Sequence, residues 1–303
     1  MPNKAEPVGK GGKNVTHARE RARLLKAQRE RREARRRLLI RVGIPLLVVV
    51  LVIAVMVAVR ATQQPAAAPA PAPASGSADA AVTQALAAIP ADTFNAVGTG
   101  TVKAAPTAIT GPALTADDKP RVLYVGAEYC PYCAAERWPM VVALSRFGSF
   151  SDLGQTTSAG ADVYPSTATL SFHGAGYTSD LLSFTGVETT TNVPSGNGYT
   201  PLDTLSVTDQ ALDSQYNSAG SIPFVDFGNR YLISGASYDP AVLQGLTHEQ
   251  IATALADPSS PVAQAVIGTA NVITAALCKL TDNHPADVCS SAGVVAGAAK
   301  LAA

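Results

Sequence analysis

The sequence predicts an α/β fold: a central mixed sheet flanked by helices, with a long Ser/Thr/Gly-rich insertion, a C-terminal helical hairpin and one membrane-spanning helix ahead of the whole. Three observations carry the α/β reading. Val122-Leu123-Tyr124-Val125 is a short apolar run closed by Gly126, and Ala134 to Phe147 follows with helical spacing, so a buried strand turns straight into a helix. Ser221 to Ser234 reads as two short strands about a Gly228-Asn229 turn, a β-hairpin. Thr247-x-x-Gln250 and Ser260-Pro261 are helix starts, a capping box and an N-cap followed by proline.

The chain begins with a charge division. Met1 to Arg41 holds 14 Lys/Arg and 4 Asp/Glu, or +10, leaving 9 and 19, or −10, for the rest. Such an arm is either a nucleic-acid tail or a membrane flank, and the next segment decides. Val42 to Val59 is an uncharged apolar run of 18 residues, which Leu38 to Ile40 extend while Arg41 reaches the headgroups. A cleaved signal peptide is the competing reading, but the preceding arm is too long and no A-x-A site follows at once. The expected organisation is a basic cytosolic arm over 1–41, a transmembrane helix over 42–60, a Pro/Ala-rich linker over 61–79 and an extracytoplasmic domain over 80–303. This places a single-pass protein in the cell membrane, N-terminus cytosolic, held by its own helix and without a nucleic-acid partner. Arg19 to Arg37 is then a juxtamembrane helix that sets orientation.

In the outer domain, Asp79 to Ile89 is an Ala-rich helix stopped by Pro90, and Ala91 to Lys119 is mostly irregular. A turn at Asp117-Asp118-Lys119-Pro120 feeds the strand Arg121 to Val125. Pro139 should bend the helix after it. Ala168 to Phe172 alternates as a second strand and Leu181 to Val187 as a third, within an insertion spanning about 150–205, and no helical period is evident between Gly148 and Tyr199. Leu202 to Tyr216 contains a helix with Thr208 as N-cap and Asp209 in its first turn. The helix from Ser260-Pro261 reaches Cys278, and a last helix runs from Ala286 to about Ala299.

The chemistry begins at Tyr129-Cys130-Pro131-Tyr132-Cys133, on the strand-to-helix turn. Unpaired N–H groups and the helix dipole stabilise an anion there, so the first thiol can be partly thiolate near neutrality, and the second is spaced to resolve a mixed disulfide. Ala134 excludes a c-type haem site, which needs His directly after the second cysteine. Zinc held by all four cysteines would need a second C-x-x-C, whereas ten residues separate Cys278 from Cys289. No metal or cofactor is expected. A Cys278–Cys289 bridge would staple the terminal helical hairpin as a structural disulfide, and the alternative is a second redox pair. His173, His248 and His284 read as surface or capping residues, Trp138 as packing, and Glu128 and Glu136 as a solvated face, the alternative being that they tune the thiolate.

The Tyr129 to Cys133 stretch and the Ser221-Ile222-Pro223 loop before a hairpin together resemble the thioredoxin superfamily, over Arg121 to Ala236 plus a C-terminal helix. The whole chain is also similar to an uncharacterised family of exported, membrane-anchored thioredoxin-like proteins. The resemblance implies a thioredoxin-like fold in which Cys130 attacks, Cys133 resolves and Pro223 is a cis-proline facing them. It implies substrate binding by Tyr129, Pro131, Tyr132, Ser221 and Ile222 beside Pro223, with Ser221 and Ile222 presenting backbone to an extended chain. Three departures stand out: Tyr124 occupies the position six before Cys130 where a carboxylate is common, Pro139 lies one residue late, and the insertion is long. The Pro-Tyr dipeptide resembles that of dithiol glutaredoxins and, as proline followed by a bulky residue, that of DsbA-like oxidases; export favours the latter comparison. The expected function is a thiol-disulfide oxidoreductase acting on thiols and disulfides of exported proteins, with a membrane or soluble redox partner. The alternatives are a thioredoxin-fold envelope binding module whose cysteines are a staple and a thiol reductase of copper or haem assembly.

Overall fold

The computed structural model describes residues 76–78 and 80–301, all within the unit Ala70–Ala303. The basic arm, the span at 42–60 and the linker apart from 76–78 lie outside the described residues. In chain order the elements are β1 (Gly76–Ser77), α1 (Ala80–Ala87), α2 (Ala91–Val97), β2 (Thr107–Ala108), β3 (Thr115–Ala116), β4 (Lys119–Gly126), α3 (Pro131–Leu144), β5 (Ser149–Ser151), β6 (Gly154–Thr157), β7 (Ala168–Ser171) and β8 (Gly176–Thr178). There follow β9 (Ser183–Glu188), β10 (Thr190–Ser195), β11 (Gly198–Pro201), α4 (Val207–Tyr216), β12 (Phe224–Phe227), β13 (Tyr231–Ser234), a 3-10 turn at Pro240–Leu243, α5 (His248–Ala254), α6 (Pro261–Leu280), α7 (Ala286–Cys289) and α8 (Ala292–Leu301).

The central sheet is mixed and runs β2-β13-β12-β4, with β9 parallel to β4 on the far side and β3 antiparallel at the start of β4. Alternation along β4 divides its side chains between two cores. Val122 and Tyr124 join Val225 and Phe227 in the larger one, built from α3 and α6, while Leu123 and Val125 join Phe224 and Val187 under Leu212 and Tyr216 of α4. Helices therefore cover both faces, and β4 is apolar on both sides, as a central strand must be. A bidentate ion pair from Arg121 to Asp209 at 2.7 and 3.0 Å ties α4 to β4.

The stretches expected as second and third strands form β7 and β9; it is β9 that pairs parallel with β4, while β7 pairs antiparallel with β6 in a separate small sheet. Alternation is a property of each strand alone, and only backbone register decides which one pairs with β4. The insertion is accordingly β-rich. Other expectations change locally. Pro90 ends α1 but also caps α2, which occupies part of the stretch expected to be irregular and buries Phe94 and Val97. Ser206, not Thr208, caps α4 by accepting from Asp209 N–H. The hairpin turn has three residues, Gly228 to Arg230, with positive φ at Gly228 and Asn229. The last helix divides at Ser290-Ser291 into α7 and α8.

The start of α5 is the expected capping box, Thr247 Oγ1 accepting from Gln250 N–H and Gln250 Oε1 from Thr247 N–H. Ser260 caps α6, which begins at Pro261. Among the described residues α6 is the one helix long and apolar enough to cross a membrane by length and composition, and 89 % of that window is buried inside the fold. It is the core helix here. Its buried Asn271 donates to Phe94 O and Gly98 O; a Cβ at Gly297 of α8 would collide with the α6 backbone at Asn271, and one at Gly293 with the α2 backbone at Phe94.

Candidate active site at a buried dithiol

Cys130 is the N-cap of α3 and Pro131 its first residue, where a missing N–H costs nothing. The Cys130 sulfur accepts from Cys133 N–H at 3.3 Å, filling one helix-end donor. On its other side the thiol donates to Ile222 O at 3.8 Å, the carbonyl of the cis Ile222–Pro223 peptide. The fold thus brings together two segments some ninety residues apart in sequence, and it does so because β12, which follows Pro223, pairs with β4, which precedes Cys130.

Both thiols are free, Cys130 5 % exposed and Cys133 fully buried. Their environments push them apart. Hydrogen bonding from the Cys133 side chain is the largest influence on Cys130 and, with the Cys133 N–H and the Arg137 charge, lowers its pKa to about 7 against the opposing effect of burial. Burial pushes the Cys133 thiol well up. One thiol is prepared to be an anion at neutral pH and the other is kept protonated.

Aromatic side chains frame the pair. Tyr129, half-buried, stacks on Tyr199 with centroids 4.2 Å apart and planes at 8°. Tyr132, 40 % exposed, meets Tyr164 edge-on at 5.9 Å. An open groove of about 410 Å³ runs from Tyr132 past Ser221 and Ile222 to Ser234, Ala236 and Tyr238. Pro131 is buried and outside this lining. Within that groove the Ser221 backbone is tied to Asn217: its N–H is donated to Asn217 Oδ1 at 3.0 Å and its carbonyl accepts from Asn217 Nδ2 at 2.9 Å.

Beneath the dithiol lies an ion pair with no exposure at either end. Arg137 Nε donates to Glu188 Oε1 at 2.7 Å, and Nη2 donates to Glu188 Oε2 at 2.6 Å and to Ala127 O at 2.8 Å. Burial pushes the Glu188 carboxyl upward, against the pull of Arg137. Glu128 and Glu136, expected on a solvated face, are buried instead: Glu128 accepts from Ser171 Oγ at 2.7 Å, and Glu136 from Ser237 N–H and Oγ. Glu136 is enclosed because both sides of α3 are covered, by α6 and by β7, while Glu128, which precedes α3, is enclosed against Ser171 at the end of β7. Proline at 139 removes the N–H that would bond Ala135 O, and the Tyr238 hydroxyl donates there at 2.7 Å, while α3 continues unbroken to Leu144.

Trp138 is packing, its indole N–H on Ala168 O at 3.0 Å. His173 is exposed and pairs with Asp203 at 2.7 Å, His248 opens α5 beside Thr156 O, and His284 is exposed. Cys278 and Cys289 form a disulfide, Cα atoms 5.8 Å apart, that joins the end of α6 to α7. Among the described residues no group of three or more His, Cys, Asp or Glu side chains is placed to hold a metal. Sequence reasoning missed Arg137, Glu188, Tyr199 and Asn217. Arg137 alone left a signal, a charge one helical turn beyond Cys133.

Residues 106–219 match the model of a domain of unknown function (DUF929), a stretch that takes in the dithiol and stops short of Pro223. No curated protein and no solved structure matches the chain.

Proposed function

We propose that the chain is a membrane-anchored, extracytoplasmic thiol-disulfide oxidoreductase with a thioredoxin-like fold. The observation that carries this is the Cys130 sulfur at a helix N-terminus, held between Cys133 N–H and the carbonyl preceding a cis-proline, with its pKa lowered to about 7. The strand order β9-β4-β12-β13, with β9 parallel and the other two pairings antiparallel, supports the fold assignment. The Cys278–Cys289 bridge favours an oxidising compartment, and the basic arm and apolar run of the sequence supply the anchor.

In the forward direction the Cys130 thiolate attacks one sulfur of a substrate disulfide, forming a mixed disulfide and releasing the other sulfur as a thiolate. Cys133 then attacks the Cys130 sulfur, closing the Cys130–Cys133 disulfide and releasing the reduced substrate. The reverse sequence oxidises a substrate dithiol, and the potentials of the two couples set the direction. The groove between Tyr132 and Ala236 is the proposed seat of the substrate chain, with Tyr129 and Tyr199 on its approach. Replacing Cys133→Ser in the full chain should leave exported proteins disulfide-linked to Cys130, visible by mass spectrometry of the non-reduced protein. An adduct-free Cys133→Ser chain together with a wild type that cannot reduce insulin would refute the reading. The burial of Cys130 favours a second reading, an envelope binding module in which the pair is a staple.

A further inference from the structure

One wall of the groove beside the dithiol is the loop over 235–239, which leaves β13 at Ser234 and enters the 3-10 turn at Pro240. Gly235, Ala236 and Tyr238 line the groove, while Ser237 between them turns inward and is 1 % exposed. Part of the loop is held from the side of the central sheet. Gly235 N–H donates to Pro223 O at 2.8 Å, beside the cis peptide, and Ser237 O accepts from Lys103 N–H at 2.8 Å and Ala104 N–H at 3.1 Å.

The remaining bonds reach α3, the helix that Cys130 caps. The Tyr238 hydroxyl donates to Ala135 O at 2.7 Å. Glu136, one turn beyond Cys133 and with no exposure, takes Ser237 on both carboxyl oxygens: the N–H on Oε2 at 2.8 Å and the hydroxyl on Oε1 at 3.0 Å. A single side chain thus links the helix that carries the thiols to the loop that lines the groove. The link is bidentate and dry, so it fixes direction as well as distance.

We propose that Glu136 is a positioning residue: through Ser237 it sets the groove wall relative to the Cys130 thiol, and so the affinity for a polypeptide disulfide. The proposal rests on the exchange reading above and adds no chemical step to it. Without the carboxyl, the Ser237 N–H and hydroxyl would be left buried with no acceptor, a cost that draws the loop toward water. If the wall then stands in place in about one molecule in ten, apparent affinity falls about tenfold while chemistry in the seated complex keeps its rate.

The test uses the full chain. Turnover of insulin with dithiothreitol as reductant gives KM and kcat, and iodoacetamide alkylation of Cys130 in the reduced chain reports the thiol without using the groove. Glu136→Ala should raise the KM for insulin about tenfold and leave kcat and the alkylation rate within about twofold of the unsubstituted chain. Glu136→Gln offers an oxygen to the N–H and an amide N–H to the hydroxyl, and should restore KM to within about twofold. An unchanged KM in Glu136→Ala would overturn the proposal. So would a loss that falls on kcat and alkylation together, or one that glutamine does not rescue, because a merely structural role gives those results. Ser237→Ala removes the hydroxyl bond alone and serves where Glu136→Ala does not fold: it should raise KM about threefold, and an unchanged KM would overturn the proposal equally. An unsubstituted chain inactive on insulin would overturn it together with the exchange reading, whereas a normal KM in an active Glu136→Ala chain overturns it alone.

Discussion

Glu136 has no exposure, and its two carboxyl oxygens face the Ser237 N–H at 2.8 Å and hydroxyl at 3.0 Å. Burial raises its pKa from 4.5 to about 7, the hydrogen bonds from Ser237 opposing. The folded chain therefore holds this proton more tightly than the unfolded one. The resulting stability is fully present below the unfolded value and is lost as pH rises through about 7. Asp226, raised by burial to about 6, acts in the same sense. Glu136→Gln should remove part of this dependence. The unfolding free energy of the wild type relative to the variant should fall by on the order of 2–3 kcal/mol between acid and neutral pH. Chemical denaturation across that range measures it, and parallel pH profiles would refute the assignment. At this scale the dithiol was legible because C-x-x-C is a local pattern, while the Arg137–Glu188 pair was not, because 51 residues separate its members and nothing near Glu188 marks it as buried.

Elements were legible where the signal was local. The capping box at Thr247 and the Ser260-Pro261 start reproduce the expected hydrogen bonds because each involves residues within one turn. The parallel pairing of β9 with β4 was not, since it is decided by a crossover that carries α3 and four short strands between its ends. At the C-terminus the Cys278–Cys289 bridge closes a short loop between α6 and α7. Replacing both cysteines by alanine should cost about 3 kcal/mol, as the chain-entropy view of such a loop gives. Urea unfolding of the double variant, with Cys130 and Cys133 reduced throughout, measures this; a loss under about 1 kcal/mol would show that helix packing alone holds the hairpin.

For the molecule as a whole, a thiolate stabilised in the folded dithiol form makes the disulfide easier to reduce. The Cys130/Cys133 pair should therefore have a reduction potential above about −300 mV, the region below which structural disulfides lie. Equilibration of the full chain against glutathione and dithiothreitol buffers measures it. A value in the structural range would favour the binding-module reading. The same couple links redox state to folding, so the dithiol and disulfide forms should differ in thermal stability by an amount that matches the measured potential.

The sequence by itself determined what short-range chemistry determines: an apolar strand running into a helix, two cysteines on the turn between them, a proline loop ahead of a hairpin, and helix caps. Tertiary structure alone decided which strand lies beside β4, that Ser221 is engaged by Asn217, and that Glu128, Glu136, Arg137 and Glu188 are buried. The reason is physical. Burial and long-range pairing depend on what packs over a residue, and α3, which carries Glu136 and Arg137 among apolar residues, is enclosed on both sides by elements that follow it in the chain.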